Sequence, residues 1–279
     1  LFMFVTLLGC GQPPSSSVKV VNGIEIDQSK FPGVVQIGMG LKGTSPDKDQ
    51  LYSLCSATWV SHNTVLTAAH CVSMKEKERN REPDYAADFL YVEVGVGGLH
   101  KAELTRIKAS KALCHVNYNS PEYLDNDVAL VKLDTPLDLS ADNVTAARLA
   151  APNFDVLTHQ NGTVVVKPIG WGKTEARVLS SDLLEVSLSI DPAKTKAVKF
   201  GSYPSAGATK NVCGGDSGGS VTHNAGLAKG SGTVVGIVSY TSTSDCNAAT
   251  TTSAFARVST YRNDIESVLA YCDQINCFE

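Results

Sequence analysis

The chain has 279 residues, 43% hydrophobic and 19% charged, with a formal net charge of −4. This is ordinary for a globular protein and enough for a sizeable core, in one large domain or two small ones. The negative balance gives no electrostatic case for nucleic acid or an anionic membrane, and no internal apolar run approaches the roughly 20 residues that span a bilayer.

Residues 1–9 (LFMFVTLLG) form an apolar run that ends at Cys10 and reads as the h-region of an export signal. The first residue is not Met and no basic segment precedes it, so this leader reads as incomplete. Residues 7–10 (LLGC) resemble a bacterial lipobox, in which signal cleavage exposes a cysteine that is then lipidated. Leu8 stands where a smaller residue is more usual. An ordinary secretory signal and a buried N-terminal strand are the alternatives, and the first two readings imply export. Residues 11–19 (GQPPSSSVK) are rich in Pro and Ser and read as a flexible tether.

From Val20 onward, short β-branched runs alternate with turn residues. The runs at 34–37, 64–67, 90–96, 128–133, 163–169, 183–190 and 233–240 predict strands, and their spacing suggests an all-β sandwich or barrel. Residues 73–88 (SMKEKERNREPDYAAD) read as an exposed charged loop. Apolar residues at 261, 265, 268, 269 and 271 predict an amphipathic terminal helix.

Three short motifs carry the chemistry. Residues 67–71 are Thr-Ala-Ala-His-Cys, residues 125–133 begin Asp-Asn-Asp-Val-Ala, and residues 213–220 are Cys-Gly-Gly-Asp-Ser-Gly-Gly-Ser. Glycines on both sides of Ser217 permit a sharp turn and close substrate approach. The same turn can aim the Gly215 and Ser217 amides at a developing oxyanion. Asp216 is a charge that needs a partner if buried. A serine hydroxyl is weakly nucleophilic and needs an adjacent base, which His70 can supply.

With His70, Asp127 and Ser217 in that order, the chain resembles the trypsin/chymotrypsin family of serine proteases from residue 20 to about 271. The resemblance implies an all-β, chymotrypsin-like fold: two antiparallel six-stranded β-barrels with a C-terminal helix and the active site between them. It divides the chain into a leader (1–10), a propeptide or tether (11–19) and a protease domain (20–279). It makes Ser217 the nucleophile, His70 the general base, Asp127 the residue that fixes the imidazole, and Gly215 and Ser217 the oxyanion hole. Ser239 matches the serine that hydrogen-bonds the buried aspartate.

The resemblance also implies activation. Lys19 precedes Val20-Val21-Asn22-Gly23, which is similar to the family's new N-terminus. Cleavage after Lys19 by a trypsin-like activating protease would free a Val20 ammonium to pair with Asp216. Of eight cysteines, Cys55 with Cys71 and Cys213 with Cys246 match family bridges, each worth very roughly 3 kcal/mol. The pairing among Cys114, Cys272 and Cys277 stays open.

For specificity, Asn211 takes the place at the base of the S1 pocket. Val212, Ser239, Tyr240, Thr241 and Ser253 complete the substrate-binding set. An uncharged Asn211 and a bulky Thr241 imply small or medium uncharged P1 side chains. Basic P1 residues return if Asp245 turns inward, and large aromatic ones are the third reading. No cofactor is implied. The segment matching the family's calcium loop (95–103) has one carboxylate, and His62, His100, His115, His159 and His223 lack metal-ligand spacing. The implied partners are a protein or peptide substrate and the activating protease, acting on a monomer without nucleic acid. Against an exported endopeptidase stand a catalytically silent homologue used as a binding module, an anchored scaffold that binds partners through the 73–88 loop, and an esterase.

Overall fold

β-Branched and aromatic residues bounded by turn residues favour strands that pack on both faces, and among the described residues fourteen strands form two antiparallel sheets. The computed structural model describes residues 20–27, 33–40, 51–72, 90–94, 105–118, 124–136, 146–158, 164–196, 199–204, 210–223, 232–248 and 250–275. Cys10, Lys19, the 73–88 loop, the 95–103 segment, His100, His159 and Cys277 lie outside these residues, as does the side chain of Cys272.

The first sheet contains β2 (Val34–Gly40), β3 (Leu51–Ser61), β4 (Thr64–Thr67), β5 (Leu90–Val94), β6 (Thr105–Cys114) and β7 (Ala129–Leu133). Its order is β2-β3-β4-β7-β6-β5, and pairing of β5 with β2 closes it into a barrel. Trp59, Val65, Leu66 and Val131 are fully buried there.

The second sheet is built from β8 (Val165–Gly170), β10 (Leu188–Asp191), β11 (Lys199–Pro204), β12 (Ser220–His223), β13 (Thr233–Thr241) and β14 (Ser253–Arg257). Pairing of β12 with β8 closes these six strands into a ring. Phe200 and Phe255 face each other across β11 and β14 with ring centroids 5.2 Å apart, and both are completely buried. β9 (Leu184–Glu185) and β1 (Ile24–Glu25) extend β8 beyond the ring. The expected architecture of two six-stranded barrels and a terminal helix is therefore present.

Two local expectations differ. The run at 183–190 is not one strand but two, interrupted at Val186 and Ser187. Val186 lies opposite Pro168, donating to its carbonyl, and proline has no N–H to return. The terminal helix α2 (Val258–Ile275) is longer than its apolar pattern suggested. Tyr261 and Ile265 are buried beneath it, but Tyr271 is 57% exposed and lies off the packed face.

The two barrels meet along β3. The Ser56 amide donates to the Ser217 carbonyl at 2.7 Å, and the Ser56 hydroxyl to the Gly215 carbonyl at 3.0 Å. The Thr58 and Ser220 hydroxyls bond each other, fully buried. A buried hydroxyl stripped of its partner costs about 1–3 kcal/mol, whereas removing both partners costs little. Thr58→Val and Ser220→Ala are each expected to lower stability by about that amount, and the double variant by less than the sum. Urea unfolding of the four proteins measures this, and strict additivity would show that the bond across the seam contributes nothing.

Candidate active site

A short helix, α1 (Ala69–Val72), follows β4 and carries His70. Its position is fixed from behind by the Cys55–Cys71 disulfide to β3. His70 Nδ1 lies 2.8 Å from Asp127 Oδ2, and its backbone amide donates to Asp127 Oδ1 at 2.9 Å. The Ser239 hydroxyl also donates to Asp127 Oδ2. Asp127 is 1% exposed, so these donors replace the water that its charge has lost. A carboxylate only accepts, so Nδ1 carries the proton and Nε2 is left as the basic nitrogen.

The turn before β7 aims Asp127. Leu124 and Asn126 both take the left-handed conformation, with φ of 58° and 57°. The Tyr261 hydroxyl of α2 donates to Asn126 Oδ1 at 3.2 Å. Burial, with the charges of Asp125 and Asp127, pushes that phenol well above its ordinary value and keeps it a donor. Lys199 of β11 pairs with the largely buried Asp125, and its ammonium lies 5.8 Å from the centre of the Tyr240 ring. An ion pair thus ties the second barrel to the loop that aims Asp127.

Ser217 sits in a turn that only glycines allow. Gly218 has a φ of +78°, and a Cβ there would stand 2.1 Å from Thr67 Oγ1 and 2.3 Å from the Ser56 carbonyl. Gly215 has a φ of +103° and no room beside Leu179. The peptide carbonyls around the serine are all held. Lys173 N–H binds the Gly214 carbonyl at 2.8 Å, and Gly219 N–H binds that of Asp216 at 2.9 Å. In a trans peptide the N–H points opposite to the carbonyl. The Gly215 and Ser217 amides therefore point away from those bonds, and among the described residues neither has an acceptor. The arrangement offers two free donors to an oxyanion. Ser217 makes no side-chain hydrogen bond among the described residues, as is common in sites that tighten only with substrate.

Asp216 points the other way, into the protein. It is 2% exposed and accepts the Gly172 amide at 2.7 Å and the Cys213 amide at 2.9 Å. Burial raises its pKa from 3.8 to about 6, and the two amides oppose that shift without cancelling it.

Beside Ser217 and His70 opens a cavity of about 360 Å³, walled further by Val212, Tyr240, Thr241, Thr243 and Ser244. The Cys213–Cys246 disulfide closes its frame. Thr241 and Ser253 are cross-strand partners. Ser253 and Asn211 lie behind the lining, both buried, with the Ser253 hydroxyl donating to Asn211 Oδ1. Asn211 Nδ2 donates to the Thr251 carbonyl at 2.7 Å. Asp245 turns outward, 3.6 Å from Arg177.

The structure thus gathers His70, Asp127, Ser217 and Ser239 at one end of the cavity, with Gly215 beside them. Ser56, Thr58 and Lys199, which hold that end in place, were not singled out in the sequence, and Tyr261 was read only as part of the apolar face of the terminal helix. They carry no motif, and only their long-range partners reveal them. Cys55, His70 and Cys71 cluster at metal-ligand spacing, but the two sulfurs are joined to each other and present no thiolate.

The sequence pattern of the Trypsin family matches residues 20–265. The chain is 27% identical to chymotrypsin-like elastase family member 1 of Rattus norvegicus, over 92% of each chain. It is 30% identical to brachyurin of Leptuca pugilator, covering 78% of this chain and 88% of that one. With trypsin of Squalus acanthias it shares 26%, over 81% and 86% respectively.

The Asp216 shift makes a stability prediction. The folded value lies above the unfolded one, so the stabilisation is complete below about pH 4 and is lost as pH rises through about 6. The loss is on the order of 3 kcal/mol. In the full chain, the stability of wild type relative to Asp216→Asn should fall across that window in urea unfolding. A difference that stays constant with pH would refute the assignment.

Proposed function

The chain belongs to the trypsin family of serine proteases, and from that premise we propose that it is an exported serine endopeptidase using Ser217, His70 and Asp127. The observation that carries this is the buried Asp127 carboxylate 2.8 Å from Nδ1 of His70, which lines one cavity together with Ser217. Ser217 Oγ attacks the peptide carbonyl carbon while His70 Nε2 takes its proton. Asp127 stabilises the imidazolium so formed. The tetrahedral oxyanion accepts from the Gly215 and Ser217 amides. His70 then gives its proton to the departing amine, and water hydrolyses the acyl-enzyme by the same route.

The domain plan is a leader (1–10), a tether (11–19) and the protease (20–279). Two disulfides support an oxidising compartment outside the cytoplasm, with Cys10 as the candidate lipid anchor. The protein acts as a monomer. It is made as a zymogen and activated by another protease that cuts after Lys19. Support comes from Asp216, whose buried carboxylate has a raised pKa and would gain from a new ammonium at Val20.

P1 side chains are small or medium and uncharged. The residues lining the cavity include no carboxylate, and Asn211 spends its amide on Thr251. The outward Asp245 argues against the basic alternative. Thr241 narrows one wall, with Ser253 directly across the strand.

Two outcomes are expected. A fluorophosphonate should label Ser217 only after the Lys19–Val20 bond is cut, and Ser217→Ala should abolish labelling and lower turnover by several orders of magnitude. A cut protein that takes no label would point to a binding module instead. Thr241→Gly should shift the P1 profile toward Phe by about tenfold in kcat/KM, roughly 1.4 kcal/mol. An unchanged profile in a peptide library would remove Thr241 from the pocket wall.

A further inference from the structure

Glu175 lies between Lys173 and Leu179, which pair across an isolated antiparallel bridge. Three residues upstream, Gly172 donates its amide to Asp216. The Glu175 main-chain carbonyl is itself held, accepting from Asn247 Nδ2 at 3.1 Å. One carboxylate oxygen, Oε1, accepts the backbone amide of Asn22, a residue far away in sequence. The other, Oε2, is buried and has no hydrogen-bond partner among the described residues. A buried carboxylate oxygen without a donor is costly, so this geometry calls for one.

Chain geometry keeps one candidate donor close by. The Val20 nitrogen precedes that of Asn22 by two residues and lies within about 7 Å of it in any conformation. Before cleavage it is a peptide nitrogen with one N–H. Hydrolysis adds water across the Lys19–Val20 amide: Lys19 becomes a carboxylate, and the Val20 amine takes the proton and becomes an ammonium with three donors. Three donors can serve Asp216 and Glu175 together.

We infer that Glu175 is the second anion of the activation pocket, holding the Asn22 amide with Oε1 and taking an N–H of the new Val20 ammonium with Oε2. This rests on the cleavage after Lys19 proposed above. Glu175 is a positioning residue, acting through the ammonium rather than on substrate. Its charge favours the protonated amine, so it extends activity to higher pH. The neutral isostere Glu175→Gln keeps an oxygen for Asn22 and removes only the charge.

The test uses fully cleaved protein, with its N-terminus shown by sequencing to be Val20. kcat/KM is followed from pH 6 to 11 for wild type, Glu175→Gln and Glu175→Asp. Glu175→Gln should move the alkaline midpoint down by about one pH unit, while Glu175→Asp should restore most of it. An unmoved midpoint in Glu175→Gln overturns the inference. A crystal structure of cleaved wild type is the second measurement, independent of any variant. The Val20 nitrogen within hydrogen-bonding distance of Oε2 supports the inference, and a separation beyond 4 Å overturns it. Acetylating the Val20 amine tells the two readings apart. Loss of activity on acetylation with an unmoved Glu175→Gln midpoint removes the role of Glu175 alone. Full activity after acetylation removes the activation scheme and the role of Glu175 with it.

Discussion

Asp216 is 2% exposed, and its carboxylate takes the amides of Gly172 and Cys213. A charge so placed needs a donor at each oxygen or gives way to the protonated form, and the surrounding backbone is shaped to supply both donors. Gly172 has no side chain because a Cβ would stand 2.2 Å from that carboxylate. Cys213 is locked to Cys246 by a disulfide. The two ends of the 213–217 turn are thereby fixed, and the conformations of Gly215 and Ser217 follow. Whatever alters the charge state of Asp216 acts on the very peptide groups that face the cavity.

The second constraint is that the proposed machinery is split between the barrels. His70 and Asp127 hang from the first, Ser217 and Ser239 from the second. Their mutual geometry is only as good as the seam. β3 supplies it in three consecutive devices: the Ser56 amide, the Ser56 hydroxyl and the Thr58 hydroxyl, each bonded to the 215–220 segment. On the other side of the site, Lys199 and Asp125 make a second tie, and Tyr261 makes a third link from the helix. None of these groups touches the cavity that His70 and Ser217 line, yet all determine the distance across it.

The pocket shows how an uncharged residue differs from an acidic one at a buried position. Asn211 has donors and acceptors in equal measure, and the fold consumes both, through Thr251, Val212 and Ser253. An aspartate there would carry a charge that those partners could not all satisfy, since the Thr251 carbonyl is itself an acceptor. The polar character of the pocket then comes from hydroxyls on the wall, Thr241, Thr243 and Ser244, rather than from Asn211 behind it.

By itself the sequence determined the family and pointed to the chemistry proposed for it. His70, Asp127 and Ser217 lie in motifs whose residue types are dictated locally: glycines where the turn needs φ above zero, a histidine next to a bridging cysteine, an aspartate at the head of a strand. Strand-length β-branched runs likewise announced an all-β sandwich or barrel, because period and turn residues are local properties, while the division into two barrels came from the family resemblance. The sequence misread one run as a single strand, since the break at Val186 comes from Pro168 on a neighbouring strand, and it put Tyr271 on a packed face that the helix leaves exposed. Only the tertiary structure decided that Ser56 and Thr58 hold the serine turn, that Lys199 reaches Asp125, that Asp245 faces outward and that Glu175 grips Asn22. Each of these depends on a partner distant along the chain, and the hydrogen bond or ion pair that gives such a residue its role exists only after the barrels have closed.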